Sequence, residues 1–248
     1  MTATYVAVVL LASLSCLTTC IGVALAIRFQ DSVKGITVGI GFSAGIMLLI
    51  SFLELIPGSL TDTGLYPTLA AVAGGIALIW MLHFVIPHTH LVEEEGKISM
   101  PALRAAYLVV FGLILHDVPE GFAMANSYIA SPSLGVMVAL AIALHNVPEE
   151  FAMAVPVVPL KKPFFLYGAA VLSALAEPVG AVIGLVAVDF FPLLNPLFMS
   201  FAAGAMIFIS IHELLPMARR HGRPGLFAVG AAISLPVYMA LTILIPEP

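Results

Sequence analysis

Long uncharged runs of apolar residues constrain this chain more than any other feature. Residues 5–27 and 66–86 contain no Asp, Glu, Lys or Arg. Each run is as long as a helix needs to cross a bilayer core of ~30 Å at a rise of about 1.5 Å per residue. The whole chain is only 9% charged, whereas about a quarter of the residues of a soluble domain carry charge. The sequence therefore predicts an all-α integral membrane protein.

Eight long, mainly apolar segments follow one another, separated by short connections with turn-forming residues such as PGSLTDTG and HGRPG. Residues 1–248 are therefore predicted to form a single transmembrane domain. The first segment lacks a basic leader and is too long for the apolar part of a signal peptide, so we expect it to be retained. The predicted spans are residues 5–27, 36–57, 66–86, 104–128, 133–157, 165–188, 193–216 and 225–245.

The basic residues predict the orientation of these spans. All nine lie in alternate connections or at the edge of one: Arg28, Lys34, Lys97, Arg104, Lys161, Lys162, Arg219, Arg220 and Arg223. Because cytoplasmic loops hold the excess of Lys and Arg, eight spans place both termini outside a plasma (inner) membrane. The longest polar connection, 87–100, is then cytoplasmic. Its His88 and His90, beside three glutamates, are consistent with a loop metal site or with a solvated polar loop.

Ionisable residues also lie inside the predicted spans, where they are costly. A charge at the bilayer centre costs at least ~2.5–3.5 kcal/mol on insertion scales, so such residues face a protein interior or a water-filled path. No Lys or Arg lies at comparable depth to pair with the acids, which therefore need a metal ion or protons. The residues are Glu54, His116, Asp117, Glu120, His145, Glu149, Glu150, Glu177, His212 and Glu213.

A decapeptide, HDVPEGFAMA, recurs 29 residues later as HNVPEEFAMA, with eight of ten positions identical. In each copy a histidine and a glutamate are four residues apart, and so share a helix face: His116 with Glu120, and His145 with Glu149. The proline between them removes an amide donor, which membrane helices tolerate where protein or a cavity surrounds the backbone. Two facing helices of this kind would form a four-ligand nitrogen and oxygen site.

A second repeat relates other spans. FSAGIMLLISFLELIP at 42–57 matches FAAGAMIFISIHELLP at 201–216 at nine of sixteen positions. The second span thus resembles the seventh, and the fourth resembles the fifth, with opposite directions through the membrane. Inverted repeats of this kind are typical of transporters, whose sites lie near the membrane midplane.

These motifs resemble those of the ZIP (Zrt-, Irt-like) metal transporters, particularly the bacterial branch. HDVPEG and HNVPEE are similar to the family's fourth and fifth helices, and SALAEPVG, SFLELIP and ISIHELLP extend the likeness over essentially the whole chain. The resemblance implies import of divalent transition metals into the cytoplasm, Zn²⁺ first and also Fe²⁺, Mn²⁺ or Cd²⁺. It also implies a homodimer, and a moving bundle of spans one, four, five and six against the other four.

The resemblance implies a centre for two metal ions between the fourth, fifth and sixth helices. It assigns His116, Glu120, His145 and Glu149 to the main site. It assigns Asp117, Asn146 and Glu177 to a neighbouring second site, which Glu120 and Glu149 are able to bridge.

Some residues depart from the family pattern or lie beside it. Asp117 replaces the usual asparagine. Glu150 stands where glycine is usual, so the role of Glu150 is open. Glu150 either leans towards the path or pairs with His212 or another titrating group. Two interpretations are open for Glu54, His212 and Glu213. In the first, they form a relay or an entrance for ions; in the second, they form a buried hydrogen-bonded cluster.

Two other classes of protein compete with a transporter. An intramembrane di-metal enzyme, either a protease or a hydroxylase, is the main alternative, but the chain lacks the HExxH motif of common zinc proteases. An exchanger that moves only protons does not require two histidines in its site. We therefore expect a transporter rather than an enzyme, with metal ions and lipid as its partners and no nucleic acid.

The orientation is open to a direct test. A cysteine introduced at Lys161 or Lys162 should react with a membrane-impermeant thiol reagent only from the cytoplasmic side, and one at Thr61 only from outside. Labelling of intact cells and of inverted vesicles distinguishes the two sides. The reverse pattern would make the inferred importer an exporter.

Overall fold

The computed structural model describes residues 2–85, 116–155, 158, 163–220 and 222–246, and within them the secondary structure is helical. We number the helices α1 to α8 in chain order. They are α1 (Thr2–Phe29, with a turn at Ser13), α2 (Val33–Thr63), α3 (Leu65–Val85), α4 (116–130), α5 (Pro132–Ala154), α6 (Pro163–Phe190), α7 (Pro192–Arg219) and α8 (Pro224–Leu244).

Seven of these helices are long and apolar enough to cross a membrane, which confirms the predicted all-α membrane protein. The eighth, α4, is described only from residue 116, so the predicted span 104–128 lies partly outside the described residues. The count of eight spans and the sides of the termini stay predictions. The loop 87–100, with His88 and His90, lies wholly outside the described residues.

The repeat between the second and seventh spans is also a repeat of backbone conformation. Both α2 and α7 change to a π-helical turn, at Ser51–Leu55 and at Ser210–Leu214. In each, the amide after the segment bonds to the carbonyl five residues earlier. Pro57 and Pro216, which lack an amide hydrogen, follow two residues after each segment and interrupt the ordinary bonding pattern. The sequence repeat therefore encodes the same helix irregularity twice.

The helices pack in two groups. In one, α1 packs on α5 and α6. In the other, α2 packs on α8, and α3 packs on α7. The groups meet where α2 crosses α5, so the second decapeptide lies at their boundary.

Glycine brings α4 and α6 unusually close together. A Cβ atom on Gly121 would lie 1.9 Å from the carbonyl oxygen of Glu177, and one on Gly180 would lie 2.1 Å from that of Val118. Only glycine permits this approach, which is how membrane helices commonly gain packing energy. The crossing fixes α6, and with it Glu177, beside the first decapeptide.

We expect Gly180→Ala to destabilise the protein, because the added methyl group has only backbone to displace. Overpacking of this kind costs roughly 1–3 kcal/mol. Thermal unfolding of the purified protein in detergent measures the effect. Gly168→Ala is the matched control on the same helix, because nothing lies within 4 Å of an added Cβ there. Equal midpoints for the two variants would contradict this account of the crossing.

Candidate metal centre

A tight hairpin brings the two decapeptides to the same depth. α4 ends at residue 130 and α5 begins at Pro132, so Ser131 alone connects them. Ser131 is extended, and its side chain accepts a hydrogen bond from the amide of Leu134, which caps α5. His116 precedes this turn by about as many residues as His145 follows it. The antiparallel helices therefore place both motifs roughly 20 Å below the turn, at a rise of about 1.5 Å per residue.

The four predicted ligands of the main site come together there, and all four are buried. Each imidazole lies closest to the carboxylate of the opposite helix. His116 Nε2 lies 2.6 Å from Glu149 Oε1, and His145 Nε2 lies 3.0 Å from Glu120 Oε1. The pairs within one helix are longer, at 3.6 Å for His116 with Glu120 and 4.0 Å for His145 with Glu149.

The ligand atoms converge on one point. Atoms from His116, Glu120 and Glu149 all lie within 4.8 Å of one another, a separation that suits ligands of a single ion. His145 adds a fourth donor through Nε2, close to Glu120. Imidazole nitrogen with carboxylate oxygen, four ligands in all, is a donor set that Zn²⁺ accepts.

His145 is held in a suitable orientation. Its Nδ1 lies 3.0 Å from the carbonyl oxygen of Ala141. A carbonyl only accepts, so Nδ1 carries a hydrogen. When the ring is neutral, Nε2 is therefore left with a lone pair that faces the centre and can bind an ion. Ser43 of α2 donates to the carbonyl of His145 at 2.8 Å, which ties α5 to the other helix group at this point.

The polar groups of the centre do not satisfy one another. Glu120 Oε2 and Glu149 Oε2 are buried without a hydrogen-bond partner, and the close contact of His116 Nε2 with Glu149 lacks hydrogen-bond geometry. Among the described residues, these carboxylates form ion pairs only with histidines. Buried oxygens without partners are costly, and a bound cation would satisfy them.

The three residues of the predicted second site separate into two arrangements. Asn146 Nδ2 donates to Glu177 Oε2 at 3.2 Å, so these two side chains meet between α5 and α6. Asp117 accepts a hydrogen bond of 2.5 Å from Ser173 of α6. All three side chains are buried, and Asp117 and Asn146 each directly follow a histidine of the main site.

The remaining polar residues of the spans lie in different places. Glu150 is buried and bonds to Ser173 and Thr19. His212, in the π-helical turn of α7, stacks on Phe208 with 4.7 Å between the ring centroids.

Glu54 and Glu213 occupy equivalent positions in the two π-helical turns. Tyr238 of α8 donates a hydrogen bond to Glu54. A relay or entrance for ions formed by Glu54, His212 and Glu213 stays a prediction.

Sequence reasoning did not find Ser173, Thr19, Ser43 or Tyr238. Single Ser, Thr and Tyr residues are common in apolar helices, so residue type alone does not distinguish a functional hydroxyl group from a structural one. Ser173 had one available signal, since it precedes Glu177 by one helical turn and so shares its face.

Comparison with known proteins identifies the chain's relatives. The family model described as ZIP Zinc transporter matches residues 86–245. A protein of Corynebacterium aurimucosum named Zinc transporter ZupT is 38% identical over 232 residues, covering 84% of this chain and 86% of the relative. The protein of the same name from Streptococcus mutans is 35% identical over 258 residues, covering 95% and 96%. That of Chlorobium phaeovibrioides is 34% identical, with 95% and 96% covered.

We expect Glu120→Gln and Glu149→Gln each to weaken Zn²⁺ binding by more than ~100-fold, since even changes behind the ligands of a metal typically cost 10–100-fold. Glutamine keeps the shape of the side chain but removes the charge that balances the ion. Isothermal titration of the purified protein in detergent measures the affinity. Asp62→Asn, the same chemical change at an exposed position outside the centre, is the control. Wild-type affinity in both glutamine variants would rule out this centre.

Proposed function

Since this chain belongs to the ZIP zinc transporter family, it transports divalent metal ions across a membrane, and we propose that its cargo is Zn²⁺ moving into the cytoplasm. It is a multi-pass membrane protein and a transporter rather than an enzyme. In a bacterium, such a protein lies in the inner membrane. We assign the cargo to the main centre of His116, Glu120, His145 and Glu149.

The observation that carries this proposal is the set of buried ligand atoms in the main centre, several of which have no hydrogen-bond partner. Two carboxylates balance the charge of one divalent ion, and two imidazoles add neutral nitrogen ligands. The same donors also accept Fe²⁺, Mn²⁺ or Cd²⁺, since affinity alone follows the Irving–Williams order. Three curated relatives named as zinc transporters favour Zn²⁺ among these.

The geometry suits an ion that must both bind and leave. An entering ion exchanges its water for four protein ligands, which compensates for the low dielectric of the site. When the ion leaves, each carboxylate can return to the imidazole of the opposite helix, at 2.6 Å and 3.0 Å. These cross-helix contacts offset part of the cost of the empty centre, although one oxygen of each carboxylate stays without a hydrogen-bond partner.

The other implied features stay proposals. The resemblance places a second ion at Asp117, Asn146 and Glu177, and implies a homodimer. Asn146 and Glu177 already satisfy part of each other's hydrogen bonding. We therefore take them as auxiliary to the main centre, where they adjust its charge and affinity.

Uptake of Zn²⁺ into sealed vesicles tests the assignment. We expect the double variant His116→Ala/His145→Ala to lose uptake, because it removes both nitrogen ligands of the cargo. The double variant Asn146→Ala/Glu177→Ala, which removes two equally buried neighbours, should keep measurable but altered uptake. Asp62→Asn controls for expression and insertion.

Three results would contradict the assignment or the proposed function. Normal uptake by the double-histidine variant would place the cargo elsewhere. An inactive Asn146/Glu177 variant beside an active histidine variant would reverse the primary and auxiliary roles. Conversion of a substrate without any metal flux would favour an enzyme.

A further inference from the structure

A second contact joins the two helix groups, at the end of the molecule where α4 and α5 form their hairpin. Near the start of α7, Asn195 donates a hydrogen bond through Nδ2 to the carbonyl oxygen of Asn126 in α4, at 3.2 Å. α4 crosses α6 closely in the first group, whereas α7 packs on α3 in the second. The bond between Asn126 and Asn195 therefore spans the boundary between the groups, and we call this side of the molecule the hairpin end.

Aromatic rings extend this contact towards the main centre. Phe122, one turn before Asn126, packs edge-on against Phe198 and Phe201 of α7, with ring centroids 5.8 Å and 6.3 Å apart. Residues 123–127 of α4 are buried, and so is Glu120 of the main centre, about 9 Å along the helix from Asn126. α4 is thus enclosed between the main centre and the hairpin end, and an ion that passes along this side of α4 needs the contact to open.

The orientation of both amide groups follows from their hydrogen bonds. Asn126 Nδ2 donates to the carbonyl oxygen of Phe122 at 2.6 Å, and Asn195 Nδ2 donates to that of Asn126. A carbonyl only accepts, so turning either amide over would place oxygen against oxygen. The two Oδ1 atoms therefore point away from these bonds. Both are buried, and neither has a hydrogen-bond partner in the part of the chain that the structure describes.

The closed contact is therefore only weakly favourable. One hydrogen bond between neutral groups gains little net free energy, because water serves both groups when the bond is broken. A buried acceptor without a partner costs at least as much as such a bond gains, and this contact contains two of them. Opening the contact to water would remove that cost, so the polar part of the contact favours opening.

A polar contact inside one helix group is built differently. Ser59 and Thr63 of α2, Thr68 of α3 and Ser200 of α7 form a cluster in which every hydroxyl group has a hydrogen-bond partner. Ser59 Oγ, for example, donates to Ser200 Oγ at 3.1 Å. A fully bonded network of this kind holds its helices together firmly. The unpartnered oxygens therefore lie at a contact between the groups, and the hydroxyl cluster lies within one group.

We propose that Asn126 and Asn195, together with Phe122 and its two ring partners, form a clasp that closes the hairpin end of the ion path and opens in each transport cycle. Transport through a site at mid-membrane requires each end of the path to open in turn. The ring contacts favour the closed clasp, and the unpartnered amide oxygens keep it weak enough to open. The proposal rests on the proposed function only in taking the main centre as the place that the ion reaches, and it holds for either direction of transport.

A reversible cross-link across the clasp tests whether it must open. In the double variant Asn126→Cys/Asn195→Cys, a short bifunctional methanethiosulfonate joins α4 to α7, and a phosphine reductant releases them. We expect the link to abolish Zn²⁺ uptake into sealed vesicles and reduction to restore it. Zn²⁺ supplied before linking should stay bound in the main centre, because neither residue touches the ion. Wild type given the same reagent controls for the native thiols of Cys16 and Cys20.

The matched control is a link within one helix group. Ser59→Cys/Ser200→Cys joins α2 to α7, where the two hydroxyl oxygens lie 3.1 Å apart, and its link should leave uptake unchanged. The clasp is overturned if uptake survives complete linking of residues 126 and 195, or if the reagent cannot join them. It is also overturned if the control link blocks uptake equally, or if the reduced clasp variant inserts normally but does not transport. Failure of wild type to bind Zn²⁺ would instead count against the proposed function.

The weakness of the clasp has a test of its own. Leucine resembles asparagine in shape but has no polar atoms, so Asn195→Leu removes one unpartnered oxygen together with one weak hydrogen bond. We expect the maximal rate of Zn²⁺ uptake to fall roughly fivefold or more, because removing the cost of one buried oxygen favours the closed clasp by about that factor. The midpoint of thermal unfolding in detergent should stay equal or rise. A lower midpoint, or an unchanged rate per inserted protein, would show that Asn195 has only a structural role.

Discussion

The carboxylates at the centre of this protein lie within membrane-spanning helices without a Lys or Arg partner among the described residues, and the rest of the structure is arranged around that constraint. Glu120 and Glu149 are buried, and among the described residues they form ion pairs only with His116 and His145. A buried charge without compensation is strongly destabilising. The one-residue turn at Ser131 brings both motifs to the same depth, and the carbonyl of Ala141 orients an imidazole. A divalent ion completes this arrangement, and family membership explains why the ion must also be able to leave.

Much of this could be predicted from the sequence, because membrane burial makes each polar residue informative. Hydropathy predicted the helices, and the repeated decapeptide predicted which side chains meet. The spacing within each motif paired His116 with Glu120, whereas the shorter contact joins His116 to Glu149 of the other helix, at 2.6 Å against 3.6 Å. Sequence spacing shows only neighbours on one helix, so contacts between helices require the fold. Ser173 was missed for the same reason, since its role depends on Asp117 and Glu150 reaching it from two other helices.

The internal repeats have diverged where the chemistry is concentrated. The π-helical turns of α2 and α7 stay equivalent, at Ser51–Leu55 and Ser210–Leu214. The decapeptides differ at two positions, and both are used: Asp117 replaces the asparagine of the other copy, and Glu150 replaces Gly121. Both acids reach the same hydroxyl group of Ser173. Divergence from symmetry thus adds negative charge at one side of a centre whose main ligands remain symmetric.

The central claim is that both decapeptides supply an imidazole and a carboxylate to one ion. X-ray absorption spectroscopy at the zinc edge, on protein loaded with one equivalent of Zn²⁺, tests it most directly. The account predicts a nitrogen and oxygen shell at about 2.0–2.1 Å with the scattering signature of two imidazoles, falling to one in His145→Ala. A spectrum with one imidazole or none in the wild-type protein, or with a sulfur shell, would contradict it.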